Sequence, residues 1–80
     1  MKNKDLKVFK QAIQELNNSS YSYKIKNDNL YCYQTSTDQE ITLCALSDVI
    51  KFDIICDDII TIFLEEKWIK LTKYGPAFFI

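Results

Sequence analysis

There is no histidine and no arginine in these 80 residues. The first absence removes the usual proton carrier near neutral pH, and with it any Cys/His or Ser/His nucleophile arrangement. The second removes the bidentate fork that most often reads base edges; all ten basic residues are lysine. Glycine and proline occur once each, side by side as Gly75-Pro76. No glycine-rich phosphate loop can therefore form, and no internal linker is marked. No apolar run approaches the ~18 residues of a membrane span. The longest, Ile59 to Leu64, is six residues and includes Thr61. The start, Met1-Lys2-Asn3-Lys4-Asp5, lacks the apolar core of a secretory signal. A cytoplasmic protein with no membrane partner is the expectation.

Cysteine is sparse and odd in number: Cys32, Cys44 and Cys56, twelve residues apart. In apolar, strand-like settings these read as reduced, buried thiols and not as a disulfide framework. With no histidine and no C-x-x-C pair, neither a metal site nor a cofactor is expected. Adjacent carboxylates occur at Asp57-Asp58 and Glu65-Glu66, but neighbours on a strand point to opposite faces and both pairs read as turns. No enzyme is expected.

What the chain has in plenty is apolar side chains, 48% of residues with 14% aromatic. That supplies a core for one small domain over residues 1–80, near the lower end of independent folding. It also has charge sorted by position. From Asp38 to Glu66 lie eight acids against the single base Lys51, while the other nine lysines lie outside that window. A one-signed surface attracts or mimics a charged partner, where an even mixture does not. The Lys/Asn/Ile-rich composition has the style of proteins from AT-rich bacteria, their mobile elements and phages.

Leu6, Phe9, Ile13 and Leu16 recur at helical spacing, widened by Val8 and Ala12, and predict an amphipathic helix over about 5–17. Asn3 or Asp5 is suited to cap its start, and Asn17-Asn18-Ser19-Ser20 to end it. Residues 21–26 alternate with period two, and 30–35 return after Asn27-Asp28-Asn29, which predicts a hairpin. With Asp28-Asn29 as the loop, Tyr23 opposes Gln34, Ile25 opposes Cys32, Lys24 opposes Tyr33 and Lys26 opposes Tyr31. Beyond a polar loop at 36–39, β-branched and aromatic density favours strands at about 41–46, 49–55, 59–64 and 68–74. Helices compete there: Thr37-x-x-Glu40 fits a capping box, and Ile60, Phe63, Leu64, Trp68 and Leu71 have helical spacing. Gly75-Pro76 marks off a tail, Ala77-Phe78-Phe79-Ile80, that either completes the core or anchors a partner. Trp68 reads as core.

The expected fold is α+β: the N-terminal helix packed on a mostly antiparallel sheet of four to six strands. Tyr23, Ile25, Cys32, Ile50, Phe52, Ile54, Ile60, Ile62 and Leu64 are candidates for the covered face. The expected function is a non-enzymatic protein-binding module, such as a small inhibitor. It would present Asp48, Asp53, Asp57, Asp58, Glu65 and Glu66 to a basic surface of its target, with Phe78 and Phe79 as apolar anchors. A homodimer or structural homo-oligomer is an alternative, because apolar residues exceed what one covered face needs. Nucleic-acid binding through a hairpin face of Lys24, Lys26, Tyr31 and Tyr33 is the other.

Overall fold

The structure is a computed structural model and describes residues 2–56 and 58–80. Helix α1 (Asn3–Leu16) is followed by β1 (Tyr21–Lys26), β2 (Asn29–Gln34) and β3 (Gln39–Ala45), which form an antiparallel sheet in the order β1-β2-β3. A single 3₁₀ turn, Leu46–Asp48, leads to β4 (Lys51–Cys56), β5 (Ile59–Phe63), β6 (Trp68–Thr72) and β7 (Gly75–Phe79). These four make a second antiparallel sheet in sequence order. The α+β class and the antiparallel pairing are as expected. The seven strands exceed the expected four to six, and they divide between two sheets.

One core lies between the inner faces of both sheets and the apolar stripe of the helix. Phe9, Ile13 and Leu16 of α1 meet Tyr23, Leu30, Cys32 and Leu43 of the first sheet, and Ile60, Ile62, Ile69 and Leu71 of the second. Period-two alternation explains the choice: β5 and β6 turn every second side chain inward, and those four are fully buried. Leu46 closes the core from the 3₁₀ turn, where its N–H donates to Asp28 O at 2.8 Å. The phenol of buried Tyr23 donates to Thr72 O at 2.7 Å and ties the two sheets together. Burial, foremost, pushes this phenol well above the ordinary tyrosine range, so the hydroxyl stays protonated.

Helix capping differs from expectation. The N-cap is Lys2, and neither Asn3 nor Asp5 caps through its side chain. The exit is held by asparagines. Asn17 Oδ1 accepts from Tyr23 N at 2.6 Å, and Asn18 Oδ1 accepts from the N–H groups of Ser20 and Tyr21. Asn18 Nδ2 also donates to Lys73 O at 2.9 Å, which fixes the helix end to the β6–β7 turn.

The hairpin loop is Asn27-Asp28, with φ of 52° and 61°. These are the two positive φ angles of a type I′ turn, the type whose twist matches flanking strands. Tyr23 therefore opposes Cys32 and Lys24 opposes Tyr31, so the expected register was displaced by one loop position. Segments that could have been helical after residue 38 are strands, and the tail is β7, paired with β6 throughout. Of the expected inward residues, Ile25, Phe52 and Leu64 are half-buried, and Ile50 and Ile54 are exposed, at 66% and 45%, because β4 lies at the sheet edge. Cys56 is exposed too, whereas Cys32 is buried and Cys44 half-buried. No described helix is long and apolar enough to cross a membrane.

Candidate functional site

Sheet register builds a row of aromatic rings on the outer face of the second sheet. Phe63 opposes Trp68 across β5 and β6, and Trp68 opposes Phe79 across β6 and β7. Because Ile60, Ile62, Ile69 and Leu71 point inward, these three alternate outward. Trp68 is thus half-buried on the solvent side of the sheet, and the expectation of a core tryptophan is corrected. Its ring lies 4.1 Å from that of Phe79, nearly parallel at 13°, and 6.5 Å from that of Phe63 at 25°. Lys51 Nζ, next to Phe63 in the same row, sits 4.8 Å from that ring, and Lys70 Nζ sits 6.0 Å from the Phe79 ring.

Behind the aromatic row comes Asp53, Thr61, Lys70 and Ala77. Ile59 and Ile55 follow, and Ile55, Ile59, Thr61, Phe63, Trp68 and Lys70 border a shallow hollow of about 320 Å³. The core residues of the helix and first sheet pack against Ile60, Ile62, Ile69 and Leu71 on the inner side. An antiparallel sheet with one covered face ordinarily shows polar residues on the other. Here that face is mostly apolar and aromatic, a composition that marks contact surfaces.

The ring geometry limits what this face can hold. Stacking bases or sugars requires an open ring face. One Trp68 face is stacked on Phe79 at 4.1 Å, while lysine ammonium groups stand over Phe63 and Phe79. An aromatic ridge occupied in this way suits packing against apolar side chains.

The expected acidic cluster is divided by the fold. Asp48, Glu65 and Glu66 come together, with Ser47, Ile50, Leu64 and Lys67, around an open hollow of about 710 Å³. This end of the sheet carries the β5–β6 turn, residues 64–67, which links Phe63 to Trp68; Lys67 stands among the three acids, and none of the ridge rings lines their hollow. Asp58 lies at the opposite end, in the β4–β5 turn, paired with Lys73 at 2.8 Å. Asp53 stands mid-strand on the outer face, and Asp57 lies outside the described residues. Near the acidic end, the Cys44 thiol is pushed up, first by burial and then by Asp48, with Lys67 opposing. Of the tail anchors, Phe79 is 37% exposed within the ridge. Phe78 opposes Ile69 on the inner side, yet remains half exposed at the sheet edge.

The Lys/Tyr hairpin face forms as a unit, since a shift of one loop position leaves every side chain on its face. Lys24 opposes Tyr31, and Ser22 opposes Tyr33. The third strand, however, adds Glu40 opposite Tyr33. Its two oxygens bind Lys24 Nζ at 2.9 Å and Lys26 Nζ at 3.1 Å. Lys26 also lies 5.0 Å over the Tyr31 ring, and Tyr33 donates to Asp38 at 2.5 Å. A phosphate at either lysine therefore meets the competing charge of Glu40.

Those two lysines hold the Glu40 carboxyl below the ordinary glutamate range, while the Asp38 hydrogen bond raises the Tyr33 phenol. A depressed folded-state pKa stabilises above the unfolded value and is lost as pH falls through the folded value. Glu40→Gln is accordingly expected to lower the urea midpoint slightly at neutral pH and low salt. The difference should vanish in acid below the carboxylate range, and shrink in high salt. Urea titrations of both proteins under the three conditions check this; an equal deficit in acid would refute the assignment.

Among the described residues, no group of three or more Cys, Asp or Glu gathers to hold a metal ion. Phe63 and Trp68 were missed as site residues. The signal lay in the alternation of 59–63 and 68–72, and in Gly75, whose positive φ makes Lys73-Tyr74 a hairpin loop and brings Phe79 beside Trp68. Comparison with protein families, with curated proteins and with solved structures finds no match.

Proposed function

We propose that this chain is a protein-binding module and that it docks through the outer face of its second sheet. The carrying observation is the stacked row Phe63, Trp68, Phe79 on an uncovered sheet face. Aromatic anchors at the centre of a patch with a charged rim are the anatomy of energetic hot spots in protein interfaces. Asp48, Glu65 and Glu66 stand at the β5–β6 end of this sheet, with Lys67 among them. The partner it fits is a protein with an apolar patch flanked by Lys or Arg. By occupying such a basic surface, the module competes with whatever anion the surface ordinarily receives and so inhibits the target.

The test is comparative capture from native-host lysate, followed by affinity measurement with the purified captured protein. Trp68→Ala is expected to weaken binding by at least about thirtyfold, equivalent to ~2 kcal/mol. Glu65→Gln with Glu66→Gln should weaken it less and flatten its salt dependence. Asp58→Asn, at the far end of the sheet, should do neither. Phe79→Ser on the edge strand repeats the aromatic test where Trp68→Ala disturbs folding. Equal affinity for all variants sinks the proposal. So does a wild-type preparation that retains single-stranded nucleic acid through Lys24 and Lys26 while capturing no protein.

A further inference from the structure

Strand β4 pairs with β5 on one side and with no described strand on the other. The opposite edge of this sheet, β7, carries Pro76, which has no N–H to offer, and it lies against β2. β4 has neither protection, although its exposed side chains include Ile54 and Ile55, with Ile50 just before it. Exposed apolar edges are templates for pairing with another chain. Lys51 and Asp53 lie two residues apart on its outer face.

We propose that β4 is a self-association edge, on which two copies pair antiparallel about a two-fold axis through Phe52. In that register Lys51 opposes Asp53 of the second copy, and Asp53 opposes its Lys51. Ile50 and Ile54 oppose one another twice on the inner side. The match is specific to this register. An axis through Asp53 sets two aspartates against each other, and one through Lys51 sets two lysines against each other, both unfavourable. An axis between residues pairs inward side chains with outward ones and breaks the pleat. The bulge between Ile54 and Cys56 ends regular pairing, so the paired segment is 50–54, an ordinary strand length.

A second feature sits at the same edge. Val49, Ile50 and Phe52, with Lys2, Asp5 and Lys51, line an open hollow of about 560 Å³. Ile54 of the second copy, placed opposite Ile50, fills the apolar side of that hollow. The charge order along β4, opposite at positions two apart, supplies what an isologous contact requires: a surface complementary to itself. The two four-stranded sheets become one continuous sheet, and both aromatic rows face the same way.

The experiment is sedimentation equilibrium across concentration, at low and high salt, with circular dichroism to confirm folding. The wild type is expected to dimerise, more weakly in salt. Lys51→Asp alone and Asp53→Lys alone each set like charges opposite and should weaken the dimer about tenfold or more. The double variant carrying both exchanges should restore it. An equimolar mixture of the two single variants should form a heterodimer tighter than either homodimer. A wild type still monomeric at about 1 mM, the weak end of measurable association, overturns the proposal. A dimer unaffected by the single exchanges overturns it equally.

Discussion

Phe9→Ala is expected to remove a large share of the protein's stability. The ring is fully buried at the meeting point of the helix and both sheets, tilted against Phe52 at 5.0 Å. Removing a buried phenylalanine typically costs about 3–5 kcal/mol, part lost transfer energy and part residual cavity. A domain of this length has of order 4–12 kcal/mol to lose. At roughly 4–8 °C of melting temperature per kcal/mol, the transition should fall by about 12 °C or more. Val8→Ala, one residue away, is the control. Val8 is 47% exposed, and surface changes of this kind stay within about 0.5 kcal/mol. Thermal and urea unfolding followed by circular dichroism compare the two. Similar losses at both positions would mean that the helix does not dock through the face described.

The helix stripe was readable because a period of 3.6 residues shows which side is apolar, whatever lies opposite. Phe9, Ile13 and Leu16 are buried as read. Strand faces were readable for the same reason, and the faces of Lys24, Lys26, Tyr31 and Tyr33 were read correctly despite the wrong loop position. Periodicity carries no information about neighbours, however. It could not show that the chain leaves the first sheet at Leu46–Asp48, because one buried leucine in a polar turn resembles the end of any strand. It could not show which side of the second sheet is covered. Trp68 has two sides to belong to, and large aromatics suit a core and a contact surface equally.

Charge was the most conspicuous pattern along the chain and the one that folding changed most. Antiparallel return places Glu40 beside Lys24 and Lys26, and Asp58 beside Lys73. Sorting in sequence thus became pairing in space. Asp48, Glu65 and Glu66 remain together because the link after β3 and the β5–β6 turn end at the same edge.

The second large effect is expected at Gly75, on which the ridge depends. Its φ is +105°, a conformation that L side chains rarely adopt, and a Cβ there would lie 3.0 Å from Tyr21 Cε1 and 3.2 Å from Cζ. Gly75→Ala meets both obstacles. Backbone strain of this kind costs of order 1–3 kcal/mol, and displacing the Tyr21 ring adds to it, since its hydroxyl accepts from Gln34 Nε2. A total loss of about 2–4 kcal/mol is expected in urea unfolding. The two causes separate in a double-mutant cycle. Tyr21→Ala vacates the space, so in that background Gly75→Ala should cost only its backbone part, less by about 1 kcal/mol. Identical costs in both backgrounds would show that the ring yields freely. No cost in either would refute the turn geometry, and with it the pairing that sets Phe79 against Trp68.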